Sequence, residues 1–433
     1  MRTYSILFFL CVFLAGCNSL KSVKQALLKT SPYDDYIQSL SKAGLKETPL
    51  AKEWIKAGEQ ALKDSIAVSL PFTEAGFFES AKPQARAYRF RVHAGQVLTI
   101  SGKIKTLFPA RLFADLFVWK EDRWQSLVHA DSGLNLVQEF SKEEVCLLRI
   151  QPELLSDTWY ALTITTHPAL INPVKGATNK SIGSFYGNAR DEGKRSHEGV
   201  DIFASRGTPV IAPADGMVYS VGTNNLGGKV IWLYDLQRGQ TYYFAHLDSQ
   251  WVSMSMNIKQ GDTLGQVGNT GNARSTAPHL HFGIYRNGSL DPLHYIQTTS
   301  SISSMLLDTS LDGRAYKIAS KEILLHAAPE TKSPVLYRFP KDTYLKKLAT
   351  SKNWSRVLLP EGQQAYVQNQ HLIFADKGKP LTLKTTDTLW SEASAQALPV
   401  AELEKASRVE LLAHYKNFNY VKTSQNLYGW IKL

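Results

Sequence analysis

PHLHFG at 278–283, taken together with HEGVD at 197–201 and FAHL at 244–247, decides how the chain is organised. His279 and His281 alternate with Leu280 and Phe282. At a strand's period of two, both imidazoles leave one face while the apolar pair enters a core. His197 and Asp201 stand four apart, with Gly199 and β-branched Val200 and Ile202 around them. Those neighbours favour an extended segment, which also returns position i+4 to the same face. Two histidines and one carboxylate leave a fourth position open, the pattern of a catalytic rather than a structural zinc site. His246 ends TYYFAHL, which reads as a strand delivering another imidazole.

HxxxD, then (F/Y)AHL, then HLH, in that order, resemble the lysostaphin/LytM-type zinc peptidases that cut peptidoglycan cross-links. The resemblance runs from about Ile171 to about Ile296 and includes GVDIFASRGTPVIAPADGMV and KQGDTLGQVGNTGNARSTAPHLHF. It implies one zinc ion held by His197, Asp201 and His281, with His246 and His279 as non-ligand catalytic histidines. All five positions carry the expected residue.

Such a ligand set leaves the ion net positive, able to lower the pKa of a bound water toward about 7 and to polarise a peptide carbonyl. His279 is assigned the general base. His246 steadies the oxyanion or protonates the leaving amine, and the sequence does not divide these tasks further. There is no HExxH helix. Glu198 would point away from His197 on a strand and is not assigned the base. Tyr186, in the FYG turn, is a candidate oxyanion donor, and His294 after DPL is read as structural. NTGNARSTAPHLHF lacks the helix and the Lys-Ser/Thr of a phosphate loop, so its glycines serve turns. D,D-, L,D- and glycyl bonds all suit this chemistry, and whether the 181–196 loop covers the groove is left open.

At 433 residues the chain divides into several units, and 43% hydrophobic with 11% aromatic residues is a globular composition. No apolar run beyond the first sixteen residues approaches the roughly 18 needed to span a bilayer. MRTYSILFFLCVFLAGC reads as a secretory signal, and Leu14-Ala15-Gly16-Cys17 resembles a bacterial lipobox with Cys17 as the lipidated residue. Acyl chains on Cys17 would hold the chain on a membrane. Asn18 resembles the outer-membrane sorting pattern of a Gram-negative cell, which implies an exported, lipid-anchored protein on the periplasmic face of the outer membrane. With Cys11 in the signal and Cys17 modified, Cys146 is left alone, a buried strand residue with no disulfide partner.

The expected architecture is mainly β. A signal at 1–16 leads to a stalk with short helices at 17–71, where Ser31-Pro32 and Thr48-Pro49 pair a cap with a first-turn proline. Trp54 lies on the apolar stripe of the second helix. Residues 72–167 alternate like a β-sandwich and weakly resemble jelly-roll-like accessory domains of secreted peptidases. There His93, His129 and His167 stand as isolated surface or turn histidines, and Trp119 and Trp124 flank a KEDR hairpin. The antiparallel β catalytic domain occupies 171–297.

A 64-residue shift of the last third pairs Leu325 with Leu389, Leu348-Ala349 with Leu412-Ala413, Val357 with Val421, and Ala365-Tyr366-Val367 with Gly429-Trp430-Ile431. The matched units, 310–374 and 378–433, resemble bacterial SH3-like barrels. From Ser310 onward 18 Lys and Arg face 11 Asp and Glu, which favours anionic wall or lipid surfaces as partners. Without a longer basic run, nucleic acid is not expected. The partners implied are peptidoglycan peptide stems and a membrane; the sequence does not set the oligomeric state. The alternative function is a wall-binding lipoprotein that recruits or activates another hydrolase. Family members of that kind usually lose a ligand, and this chain keeps them all.

Overall fold

The computed structural model describes residues 30–299, 302–311, 313–394 and 396–432. The signal and Cys17 lie outside the described residues. The chain is mainly β, with four large sheets, a two-stranded ribbon and a few short helices.

Two capped helices open the described chain. Ser31 accepts from the Asp34 amide ahead of Pro32–Lys42, and Thr48 from the Ala51 amide ahead of Pro49–Lys63, each with proline in the first turn. Their apolar stripe buries Tyr33 and Trp54 against Phe113. Trp54 Nε1 donates to the Pro152 carbonyl at 2.8 Å, so the helices are tied to the β domain behind them.

In 72–167, a five-stranded sheet and strands of an 11-stranded sheet enclose one core. Tyr88, Leu116 and Leu148 come from one side, Leu98, Tyr160 and Leu162 from the other. Cys146 is buried in it, its thiol pushed up to about 12 by burial. Trp119 faces Trp124 across the KEDR hairpin at 5.0 Å. His93 is not the isolated histidine its sequence context predicts. It lies 2.9 Å from Glu143 and stacks on His294 at 4.1 Å, on the seam with the residues that follow 170. Arg238 closes the same seam by gripping Glu139 through two nitrogens at 2.7 and 3.0 Å.

The 11-stranded sheet does not stop at residue 167. Its strand Phe72–Phe78 pairs on one side with Thr158–Pro168 and on the other with Tyr344–Ser351, in the first repeat. Sequence divides 72–167 from 310–374, whereas hydrogen bonding joins them. A buried polar knot sits under the joint. Glu74 accepts from the hydroxyls of Tyr88, Tyr160 and Tyr366 at 2.6, 2.7 and 3.0 Å, with Arg356 Nε at 3.4 Å.

The repeat is visible strand by strand. Ala315–Ile318, Tyr344–Ser351, Trp354–Leu358 and Gln364–Gln368 recur 64 residues later as Lys379–Thr382, Arg408–Tyr415, Phe418–Thr423 and Tyr428–Lys432. Left-handed residues recur with them, Asp342 with Ala406 and Lys352 with Lys416. Each unit has its own core, and Tyr415 and Trp430 of the second pack into that of the first.

The main path of the ten-stranded sheet runs Ile182–Ser184, Val200–Phe203, His279–Tyr285, Gln240–Gln250, Gly228–Asp235, Gly216–Asn224, Asn257–Ile258. Its core is drawn from residues 170–296, with Leu280, Phe282 and Ile284 on the inner face of the central strand. That leaves His279 and His281 on the other face, as the alternation predicts.

Candidate active site

Three neighbouring strands and one loop build the site. Asp201 on Val200–Phe203 lies directly opposite His281 on His279–Tyr285, and Ala245 on Gln240–Gln250 flanks His281 from the other side. His197 is not on a strand with Asp201. It precedes that strand in a short loop, and Gly199 lets the loop press against its neighbour. A Cβ at Gly199 would stand 2.5 Å from the Phe282 carbonyl oxygen and 2.8 Å from the His281 ring. Close approach, rather than strand periodicity, brings His197 to Asp201.

The three atoms that converge are His197 Nε2, Asp201 Oδ1 and His281 Nδ1. Their separations are 3.0 Å (197–201), 2.9 Å (197–281) and 3.1 Å (281–201). They are the one group among the described residues spaced to hold a metal ion. His197 Nδ1 lies 2.9 Å from the Phe185 carbonyl, which accepts its N–H and so leaves Nε2 as a lone pair. Without an ion, one proton on His281 Nδ1 serves both neighbours. A divalent cation between them would be held by all three lone pairs. Ligands about 2.0–2.1 Å from a tetrahedral ion stand about 3.3 Å apart, close to the spacing here. The residues fit the group.

Electrostatics agree with that fit. Burial alone would raise the Asp201 carboxyl, but the adjoining His197 and His281 imidazoles outweigh it and hold the group well below the usual carboxylate range. Burial lowers His281, against the pull of Asp201. Arg190 reaches the other carboxylate oxygen. Its Nη2 donates to Asp201 Oδ2 at 2.7 Å and to Ser184 Oγ at 2.6 Å.

His246 and His279 stand beside the triad, their rings 5.0 Å apart, with His246 6.1 Å from His281. Each directs Nδ1 at a backbone carbonyl, His246 at Thr270 (2.9 Å) and His279 at Ala277 (2.8 Å). That fixes the proton on Nδ1 and frees Nε2. Burial pushes the His246 imidazole down to about 4, so the ring is neutral near pH 7. His246 also adopts φ 63°, at a register shift between its strand and Gly228–Asp235. The bulge turns one side chain out of the strand's alternation, a local strain typical of functional positions.

The Tyr186 hydroxyl lies 2.9 Å from Ser289 Oγ. Glu198 accepts from the Tyr285 hydroxyl at 3.3 Å. His294 belongs to the seam with His93. Sequence reasoning passed over Arg190, one basic residue in a basic loop. It also passed over the carbonyls of Phe185, Thr270 and Ala277, since backbone acceptors carry no residue signature.

Residues 195–292 match the family model described as Peptidase family M23. Over 139 residues the chain is 37% identical to the L-Ala--D-Glu endopeptidase of Bacillus subtilis, covering 29% of this chain and 42% of that protein. It is 29% identical over 219 residues to the glycyl-glycine endopeptidase ALE-1 of Staphylococcus capitis, covering 47% and 58%. It is 30% identical over 140 residues to the peptidoglycan DD-endopeptidase ShyC of Vibrio cholerae, covering 31% of each. The chain thus spans under two thirds of the length of each of these relatives. Among solved structures, the catalytic domain of lysostaphin from Staphylococcus simulans is similar, with 32% identity, 27% of this chain and 92% of that chain covered, and a TM-score of 0.24.

Proposed function

We propose, from a domain that matches peptidase family M23, that this chain is a lipid-anchored, zinc-dependent endopeptidase hydrolysing peptide cross-links of bacterial peptidoglycan. The observation that carries the reading is the convergence of His197 Nε2, Asp201 Oδ1 and His281 Nδ1 beside two further imidazoles with free Nε2 atoms. The three relatives are named for three different bonds, L-Ala–D-Glu, glycyl-glycine and D,D. What the three names have in common is endopeptidase chemistry, not one bond.

Zinc, when bound, supplies a nucleophilic water at neutral pH and polarises the scissile carbonyl. His197, Asp201 and His281 would hold it through the three atoms named above. His279 accepts the water's proton at Nε2. His246 presents the same bare Nε2 at rest, but its burial disfavours the charged form. Steadying an oxyanion needs a proton that neither ring carries there beforehand. Whichever imidazole is protonated first becomes the acid that serves the leaving amine.

Leu14-Ala15-Gly16-Cys17 supports an acylated anchor, and Asn18 an outer-membrane destination in a Gram-negative cell. The paired C-terminal units, read as SH3-like, are assigned to wall binding through their basic excess. The test is release of soluble fragments from intact sacculi by the chelator-stripped chain. Release is expected only when zinc is restored, and equal release without zinc would overturn the reading.

A further inference from the structure

The ribbon Ala189–Arg190/Arg195–Ser196 forms a sheet of its own among the described residues, yet it touches two of the three metal-ligand candidates. Its far strand runs straight into His197, whose amide donates to the Asn188 carbonyl at 2.9 Å while its own carbonyl accepts from the Gly187 amide at 2.9 Å. Its near strand carries Arg190, which reaches across to Asp201 at 2.7 Å.

We infer that Arg190 is a positioning residue for the metal centre: it occupies Asp201 Oδ2 and so presents Oδ1 alone to the ion. The inference rests on the metal reading above and concerns the shape of that site. A free carboxylate can turn about its terminal bond or bind through both oxygens. Here Oδ2 is taken by a charge-assisted hydrogen bond, and the same Nη2 is braced by Ser184 Oγ at 2.6 Å. Oδ1 remains, 3.0 Å from His197 Nε2 and 3.1 Å from His281 Nδ1. Because the ribbon also holds the His197 backbone, it fixes two ligands relative to each other before any ion arrives. The Asp201 side chain keeps only 10% exposure, so water has little room to replace the guanidinium, although Arg190 itself is 31% exposed. Partners of this kind typically govern metal affinity by 10–100-fold.

The experiment compares zinc affinity of the full chain with that of Arg190→Ala and Arg190→Lys, by competition with a chromogenic chelator. Thermal unfolding is followed in parallel, and guanidinium chloride is added at millimolar concentration as a rescue. Arg190→Ala should bind zinc about 10–100-fold more weakly. Millimolar guanidinium, which fills the vacated site, should recover part of that loss. Arg190→Lys should fall between, since an ammonium neutralises Oδ2 without the planar fork. Zinc affinity in Arg190→Ala within twofold of wild type would overturn the inference while leaving the metal reading intact. A wild-type chain that binds no zinc would overturn both. Weakened binding that guanidinium does not recover, with a lowered unfolding temperature, would assign Arg190 to loop stability and overturn the positioning role.

Discussion

His197 Nε2 and His281 Nδ1 lie 2.9 Å apart, although 84 residues separate them in the chain. Two ring nitrogens at that distance need a proton or a cation between them, and Asp201 Oδ1 within 3.1 Å of both adds charge favouring the cation.

Removal of a ligand and removal of a catalytic imidazole should therefore separate. His281→Ala leaves two protein ligands, and bound zinc should drop sharply, as read by metal analysis after gel filtration. His279→Ala keeps all three and should retain near-stoichiometric zinc while losing about 10²–10⁴-fold in turnover. Equal zinc loss in the two variants would refute the division of roles.

The metal-free chain should lose stability on acidification. His246 has its folded-state pKa pushed down to about 4 by burial, and His281 is lowered for the same reason. Unfolded imidazoles titrate near 6.5, so the unfolded state binds more protons between about pH 6.5 and 4. Stability is full above that window and declines as pH falls through it, by on the order of 3 kcal/mol for His246. His246→Asn, with a side chain that tolerates the left-handed backbone, should flatten the decline in urea midpoint against pH.

The knot under the long sheet should be sensitive to loss of one member. Arg356→Ala would leave the Glu74 carboxylate, itself 0% exposed, without its cation. Breaking such a pair costs about 3–5 kcal/mol. A lowered unfolding midpoint with zinc content unchanged is expected, because the catalytic sheet has a separate core.

The anchor is checked separately. Cys17→Ser should abolish metabolic acyl labelling and leave unprocessed precursor in the membrane fraction. Unchanged labelling would exclude Cys17 as the acylated residue.

Much of this was legible in the chain because it is local or periodic. Leu280 and Phe282 alternate with His279 and His281, and a period of two assigns their faces. The 64-residue shift carries turn residues as well as strands, so Asp342 and Ala406 share a left-handed backbone despite differing in type. What escaped was non-local. Phe72–Phe78 is buried along its whole length and is paired on both sides. FTEAGFF nevertheless names no partner, and Tyr344–Ser351 lies far away in sequence. The stacking of His93 on His294 is hidden for the same reason. His197 reaches its place through a glycine-permitted contact, where strand periodicity offers a plausible but different route.

The central claim meets its most direct test when the full chain, loaded with zinc and free of other hydrolases, is incubated with defined cross-linked muropeptides and the products are weighed. The account predicts monomeric products from hydrolysis of one peptide bond, lost on zinc removal and in His281→Ala. Intact muropeptides after prolonged incubation with zinc-loaded protein would contradict it, and would make recruitment of another hydrolase the better description.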